Sequence, residues 1–111
     1  MAYYDITPLQ LGQAAITTSA ATLYTAPTGV RTFVKDLNIC NTTGAAVTVN
    51  VYLIPTSGSA GTGNALLYGL SIAANTVYRW TGVQIMNAGG FIQVSASATG
   101  LTITASGAEA I

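Results

Sequence analysis

The sequence predicts an all-β fold: a two-sheet β-sandwich or jelly roll of about eight strands. Three observations predict it. Apolar and polar residues alternate with period two along most of the chain, while the 3.6-residue period of an amphipathic helix is almost absent. The apolar positions are rich in Val and Ile, which suit a pleated surface. Clusters of Gly, Pro, Asn, Ser and Thr punctuate the chain at short intervals, as turns between strands do. At 111 residues this is the length of one domain.

Taken in order, residues 1–22 are the least regular part, because Pro8 and Gly12 interrupt any alternation. They are expected to form an N-terminal arm or an irregular first strand, and an extended arm would pair naturally with a neighbouring subunit. Residues 23–111 are expected to form the sandwich itself. Ala26-Pro27-Thr28-Gly29 is a turn, with Pro fixing φ and Gly free to take a positive φ. Asn41-Thr42-Thr43-Gly44 is expected to close a hairpin between strands over 30–41 and 45–54. In the second of these, Val47, Val49, Val51 and Leu53 alternate with polar or aromatic neighbours.

The Gly- and Ser-rich stretch 55–63 reads as a flexible loop. After it, Leu66, Tyr68, Leu70 and Ile72 alternate, and Gly69 within that run marks a bulge. Ala88-Gly89-Gly90 separates 83–86 from a strand over 91–98, in which Ile92, Val94 and Ala96 share a face. Thr99-Gly100 leads into a last strand with Leu101, Ile103 and Ala105 on one side. The chain contains no internal repeat.

Composition restricts function more than it defines it. Half the residues are hydrophobic, only 5% are charged, and the formal net charge is zero. Soluble domains average about 25% charged residues. A surface so poor in charge favours association, and a module covered by neighbours in an assembly accounts for it. Arg31, Lys35 and Asp36 share one segment, Arg79 stands alone, and Asp5 and Glu109 lie near the two ends. Simple alternation places Arg31 and Lys35 on one face as a small basic patch and Asp36 on the other. Arg31 and Lys35, with Tyr3 and Tyr4 of the opening segment, are the candidate interface residues. Tyr24 is of the same kind.

No catalytic residue is expected. The chain has no histidine, which removes the commonest general base and the commonest metal ligand. Its one cysteine, Cys40, has no thiol partner for an intrachain disulfide and falls in a strand, where a buried small hydrophobe is expected. Three acids spread over the chain supply neither a calcium cage nor an evident carboxylate pair. Gly58, Gly61 and Gly63 lack the Lys-Ser/Thr of a phosphate loop. No cofactor or metal is therefore expected, and three basic residues at zero net charge do not support nucleic-acid binding. Met1-Ala2-Tyr3-Tyr4-Asp5 lacks the basic start and apolar run of a signal peptide, and no apolar stretch reaches about 18 residues. Synthesis in a reducing cytoplasm, away from the membrane, is the expectation. Tyr78 and Trp80, two apart on a strand with Arg79 opposite, are either an aromatic face that stacks on a ligand such as a sugar or a part of the core or an interface.

One stretch has a familiar pattern. Leu23-Tyr24-Thr25-Ala26-Pro27-Thr28-Gly29-Val30-Arg31-Thr32, followed by Leu37-Asn38-Ile39-Cys40-Asn41, resembles small structural proteins of tailed bacteriophages. The alternating run from Val47 to Pro55 continues the likeness. So does a closing series that includes Asn75, Trp80, Gly82, Met86, Gly89, Gly90, Gly100, Gly107 and Glu109. The resemblance covers about residues 23–109 and carries no catalytic signature. It implies a virion component, foremost a capsid decoration (cement) protein that stabilises the head shell as a homo-oligomer, a trimer or dimer, in contact with the major capsid protein or other virion proteins. The alternative it implies is a tail, neck or fibre-tip module that binds a host receptor or carbohydrate.

Overall fold

The computed structural model describes residues 6–110. Eight strands form two four-stranded antiparallel sheets packed face to face as a jelly roll. The strands are β1 (Ile6–Ala15), β2 (Ala21–Thr25), β3 (Arg31–Asn41), β4 (Val47–Ile54), β5 (Ala65–Ile72), β6 (Val77–Met86), β7 (Phe91–Ala96) and β8 (Leu101–Ala110). Sheet A runs β1-β8-β3-β6 and sheet B runs β2-β7-β4-β5. Every connection except β4–β5 therefore passes from one sheet to the other.

The alternation in the sequence becomes the core directly. Leu37 and Ile39 of β3 and Leu101, Ile103 and Ala105 of β8 line the inner face of sheet A. Val47, Val49 and Val51 of β4 and Ile92, Val94 and Ala96 of β7 line that of sheet B. Burying each Ile or Leu of this kind stabilises the fold by about 1.5–3 kcal/mol, and the two inner faces interdigitate across the roughly 10 Å that separates packed sheets.

The segment before Leu23 contributes to this core. Residues 6–15 form edge strand β1, hydrogen-bonded to β8 of its own sheet, and a register shift between Gln10 and Gly12 makes that strand irregular. Leu11 and Ile16 are buried in the common core. At Gly69 the sequence signal for a bulge corresponds to a real one. The residue has φ +64, and two β5 residues lie between Leu67 and Leu70 where β4 has only Asn50. Asn50 stitches the bulge, its Oδ1 accepting the Gly69 N–H at 2.7 Å.

The expected hairpin between β3 and β4 does not form. These strands lie in different sheets, and residues 42–46 carry the chain across the sandwich. Asn41 makes the corner specific. Its buried side-chain amide donates to the carbonyls of Ala45 (2.9 Å) and Ile72 (3.0 Å), and its Oδ1 accepts the Thr43 N–H (2.9 Å) and hydroxyl (2.7 Å). A short polar turn between two alternating strands fits a hairpin or a sheet-to-sheet corner equally well. The buried polar side chain is what distinguishes them.

A second correction concerns β3. Val34 pairs with Gly107 and Asp36 with Ser106, so β3 has one residue more than β8 at Lys35. The bulge shifts the phase of alternation: Val34 and Leu37, three apart, both face the core. Asp36 therefore turns outward with its neighbour instead of to the opposite face, and it reaches Arg79. Gly107 is required where the bulge forms, since a Cβ there would overlap the Phe33 carbonyl oxygen. Cys40, expected to be buried, is instead only partly covered, on the outer side of the same strand.

A polar chain ties the two sheets together near the end of β8. The Tyr24 hydroxyl donates to Glu109 Oε2 (2.5 Å) and lies 2.7 Å from the Thr32 hydroxyl, which, with the Tyr24 proton committed to Glu109, acts as donor. This links β2 of sheet B to β3 and β8 of sheet A. Burial and the adjacent Glu109 carboxylate both disfavour the phenolate, so the Tyr24 pKa is pushed up to about 12 from an ordinary 10.0.

Two outcomes follow for stability. Gly107→Ala should cost about 2–3 kcal/mol or more in chemical denaturation, because backbone rather than a flexible side chain must yield. Gly63→Ala, with open space at the added methyl, should stay within about 0.5 kcal/mol. Equal effects would contradict the close approach of β3 and β8. For Tyr24 the folded pKa lies above the unfolded one, so its contribution is complete below pH 10.0 and is lost as pH rises through about 12. Melting temperatures recorded from neutral to strongly alkaline pH should fall across that window in the wild type. Tyr24→Phe should lower stability at neutral pH and flatten the fall; an unchanged alkaline profile would exclude the clip.

Candidate interaction surface

Alternation on sheet A sends one set of side chains into the core and leaves the other on the outer face. Reading across that face, Pro8 of β1 pairs with Ala108 of β8, Ala108 with Phe33 of β3, and Phe33 with Ile85 of β6. Directly opposed residues in antiparallel strands lie on the same face, about 5 Å apart. An apolar row thus crosses all four strands. Beside it, Ile6 pairs with Ala110 and Ala110 with Arg31. Among the described residues nothing covers the ends of these rows: Ile6 is 58% exposed and Ile85 59%. Between them Ile6, Phe33 and Ala110 join Val30, Arg31 and Asn87 around an open depression of about 440 Å³.

Sheet B is arranged differently. Ile54, on its outer face, is only 1% exposed, because the loop after β4 turns back over it. The Gly58 N–H donates to the Pro55 carbonyl at 2.9 Å, which brings Gly58 against the Ile54 side chain. The loop expected to be flexible therefore has a structural task, and a single 3-10 turn (Thr62–Asn64) ends it.

The candidate residues fall as follows. Arg31 and Lys35 are both exposed on β3, Arg31 at the rim of the depression and Lys35 at the bulge. Tyr3 and Tyr4 lie outside the described residues. Tyr78 and Trp80 share a face and pair with Ile39 and Leu37, so they are half-buried and pack against the core cluster. Arg79, between them, points outward and donates to Asp36 Oδ2 from Nε (2.9 Å) and Nη2 (2.6 Å). That carboxylate raises the Arg79 pKa further, through hydrogen bonding first and charge second. The pair is open to solvent and is a surface feature with little effect on stability. Tyr24, grouped by sequence with the interface tyrosines, has its hydroxyl committed to Glu109 and Thr32.

Among the described residues no three His, Cys, Asp or Glu side chains come together in a metal-binding arrangement. The apolar row was not singled out in the sequence. Its signal is present only in pairing: Pro8, Phe33, Ile85 and Ala108 are far apart in the chain and become neighbours through three strand registers.

No known sequence family matches this chain, and no curated protein sequence does. Solved structures do. The chain is similar to one in the structure of infectious bursal disease virus, Gx strain, with 15% identity and a TM-score of 0.57 over 97% of its own length. It is also similar to a chain of the T13 particle of the same virus, with 13% identity and a TM-score of 0.53 over 96% of its length. In these matches it spans 32% and 30% of the other chain, so the likeness is to about one third of a longer protein. At this level of identity the comparison establishes a shared fold, the jelly roll that the strand order shows independently.

Proposed function

We propose that this protein is a structural component of a virion, a capsid decoration protein that docks on the head shell and braces neighbouring subunits. The observation that carries the reading is the apolar row on sheet A, open at Ile6, Pro8 and Ile85, half-buried at Phe33 and closed only at Ala108 between them. Contiguous apolar surface left open on a small domain marks an interaction site. Scarcity of charge supports the same reading, since it weakens the repulsion that keeps identical copies apart. The two sheets also leave four edge strands, β1 and β2 on one side and β5 and β6 on the other, available for pairing or cover.

The resemblance of residues 23–109 to small phage structural proteins points to the same class of function, and the fold is one used by chains of a viral particle. Decoration asks little of each contact, because many copies act at once. A homo-oligomer, a trimer or dimer, is the form in which such a module would act, with the major capsid protein as its main partner. The alternative that the resemblance implies, a tail, neck or fibre-tip module binding a receptor or carbohydrate, has Tyr78 and Trp80 as its aromatic ligand face, and their packing against the core leaves less surface for stacking on a ligand.

The test is quantitative mass spectrometry of purified particles together with a stability assay on heads. The reading expects the protein in a copy number comparable to that of the major capsid protein. It also expects heads lacking the protein to rupture at lower temperature or under milder osmotic shock. A handful of copies per particle, or stripped heads of undiminished robustness, would contradict it.

A further inference from the structure

Every charged residue from 6 to 110 lies on a strand of sheet A. Arg31, Lys35 and Asp36 are on β3, Arg79 on β6 and Glu109 on β8; the strands of sheet B, and the loop that covers it, carry none. The sandwich is electrostatically one-sided, which no local reading of the sequence reveals.

The signs are segregated as well. The chain has three basic residues, and all three are exposed on the outer side of sheet A, where the bulge at Lys35 adds Asp36 to them. Of the two carboxylates among the described residues, Glu109 faces between the sheets, where it accepts the Tyr24 hydroxyl. Asp36 is occupied by Arg79. Arg31 and Lys35 have no ion-pair partner among the described residues. Two cations therefore stand beside the apolar row, Arg31 at the rim of the depression walled by Ile6, Phe33 and Ala110, and Lys35 at the bulge further along β3.

We propose that the outer face of sheet A is the docking face, and that its partner is a protein surface presenting carboxylates beside a protruding apolar side chain. The inference rests on the decoration reading and deepens it by assigning the face that meets the shell. Charge complementarity selects the partner: carboxylates oppose Arg31 and Lys35, and an apolar side chain enters the depression between Arg31 and Ile6. Such pairing favours encounter rate and register over bulk affinity. An apolar row with only two free cations is a poor match for nucleic acid, which draws its affinity from many phosphate contacts. Sheet B, neutral and with Ile54 already covered by its own loop, is left toward solvent.

The test uses the intact chain and a short synthetic peptide that alternates Glu with Leu and Phe, followed by backbone amide shifts. Its Gln-for-Glu counterpart, a DNA duplex, vesicles rich in phosphatidylglycerol, and the protein alone at rising concentration are run alongside. The proposal expects peptide-induced shifts at Phe33, Lys35 and Ile85, with Thr48, Asn50 and Tyr68 of sheet B unmoved. It expects the Gln peptide, and the double variant Arg31→Glu/Lys35→Glu against the Glu peptide, to bind about tenfold more weakly or worse. Both substitutions are on exposed side chains, and circular dichroism melts verify the fold. Ile85→Asp, also exposed, should weaken binding without altering the melt.

Shifts confined to sheet B, equal binding of both peptides, or an unaffected double variant would overturn the assignment. So would binding of DNA or vesicles in place of the peptide, or concentration-dependent shifts on this face in the protein alone, which would make the occupant a second copy. No particle enters this titration, so its failure leaves the decoration reading to the copy-number and rupture assays. Failure of those assays in turn leaves the docking face to the titration.

Discussion

The close approach of β3 and β8 at Gly107 is the constraint on which the rest of the structure depends. These are the two inner strands of sheet A, paired along almost their full length, and at Gly107 the Phe33 carbonyl occupies the space a side chain would need. Next to this contact β3 takes its extra residue at Lys35. The resulting change of phase lets Thr32 and Val34 face the core on one side of the bulge and Leu37, Ile39 and Asn41 on the other. Without it, half of the strand would expose its apolar set. The same displacement turns Lys35 and Asp36 outward together, and it leaves Phe33 on the outer face in line with Ala108 and Ile85. Core and surface are fixed by one irregularity.

From that geometry the two sheets acquire different characters. Sheet B keeps Ile54 under its own loop, shows Tyr68 to solvent and carries no charge. Sheet A leaves Ile6 and Ile85 open and holds every cation of the chain. A free domain gains nothing from concentrating uncovered apolar surface and positive charge on one side; a module that must be oriented in an assembly does. The low overall charge, which in composition alone reads only as a tendency to associate, becomes a directional property once the strands are placed.

Much of the fold was legible in the sequence because alternation is local. Val47, Val49 and Val51, Ile92, Val94 and Ala96, and Leu101, Ile103 and Ala105 all face inward as the period-two pattern implies. Gly69 marked its bulge because a positive φ demands a residue of that kind. What was not legible depends on partners distant in the chain. The side to which Asp36 points is decided by Gly107, and the inward placement of Tyr78 and Trp80 by their pairing with Ile39 and Leu37. The corner after Asn41 looked like a hairpin because its alternatives differ in the sheet the next strand joins, which Asn41 settles by bonding to Ala45 and Ile72. The candidate surface was visible only as its two cations; its apolar row is a product of register.

Lys35, the single lysine of the chain, offers the most direct measurement of the account's central claim, that the outer face of sheet A is open in the free protein and covered in its assembly. Acylation of the Lys35 amine, followed by mass spectrometry against time, would be compared between the isolated chain and intact particles. The account predicts rapid modification in the free protein and a rate several-fold lower in the particle, with Tyr68 on sheet B, 63% exposed, equally open to tyrosine-directed labelling in both. A Lys35 that reacts at the same rate in the particle, while Tyr68 becomes protected, would contradict it.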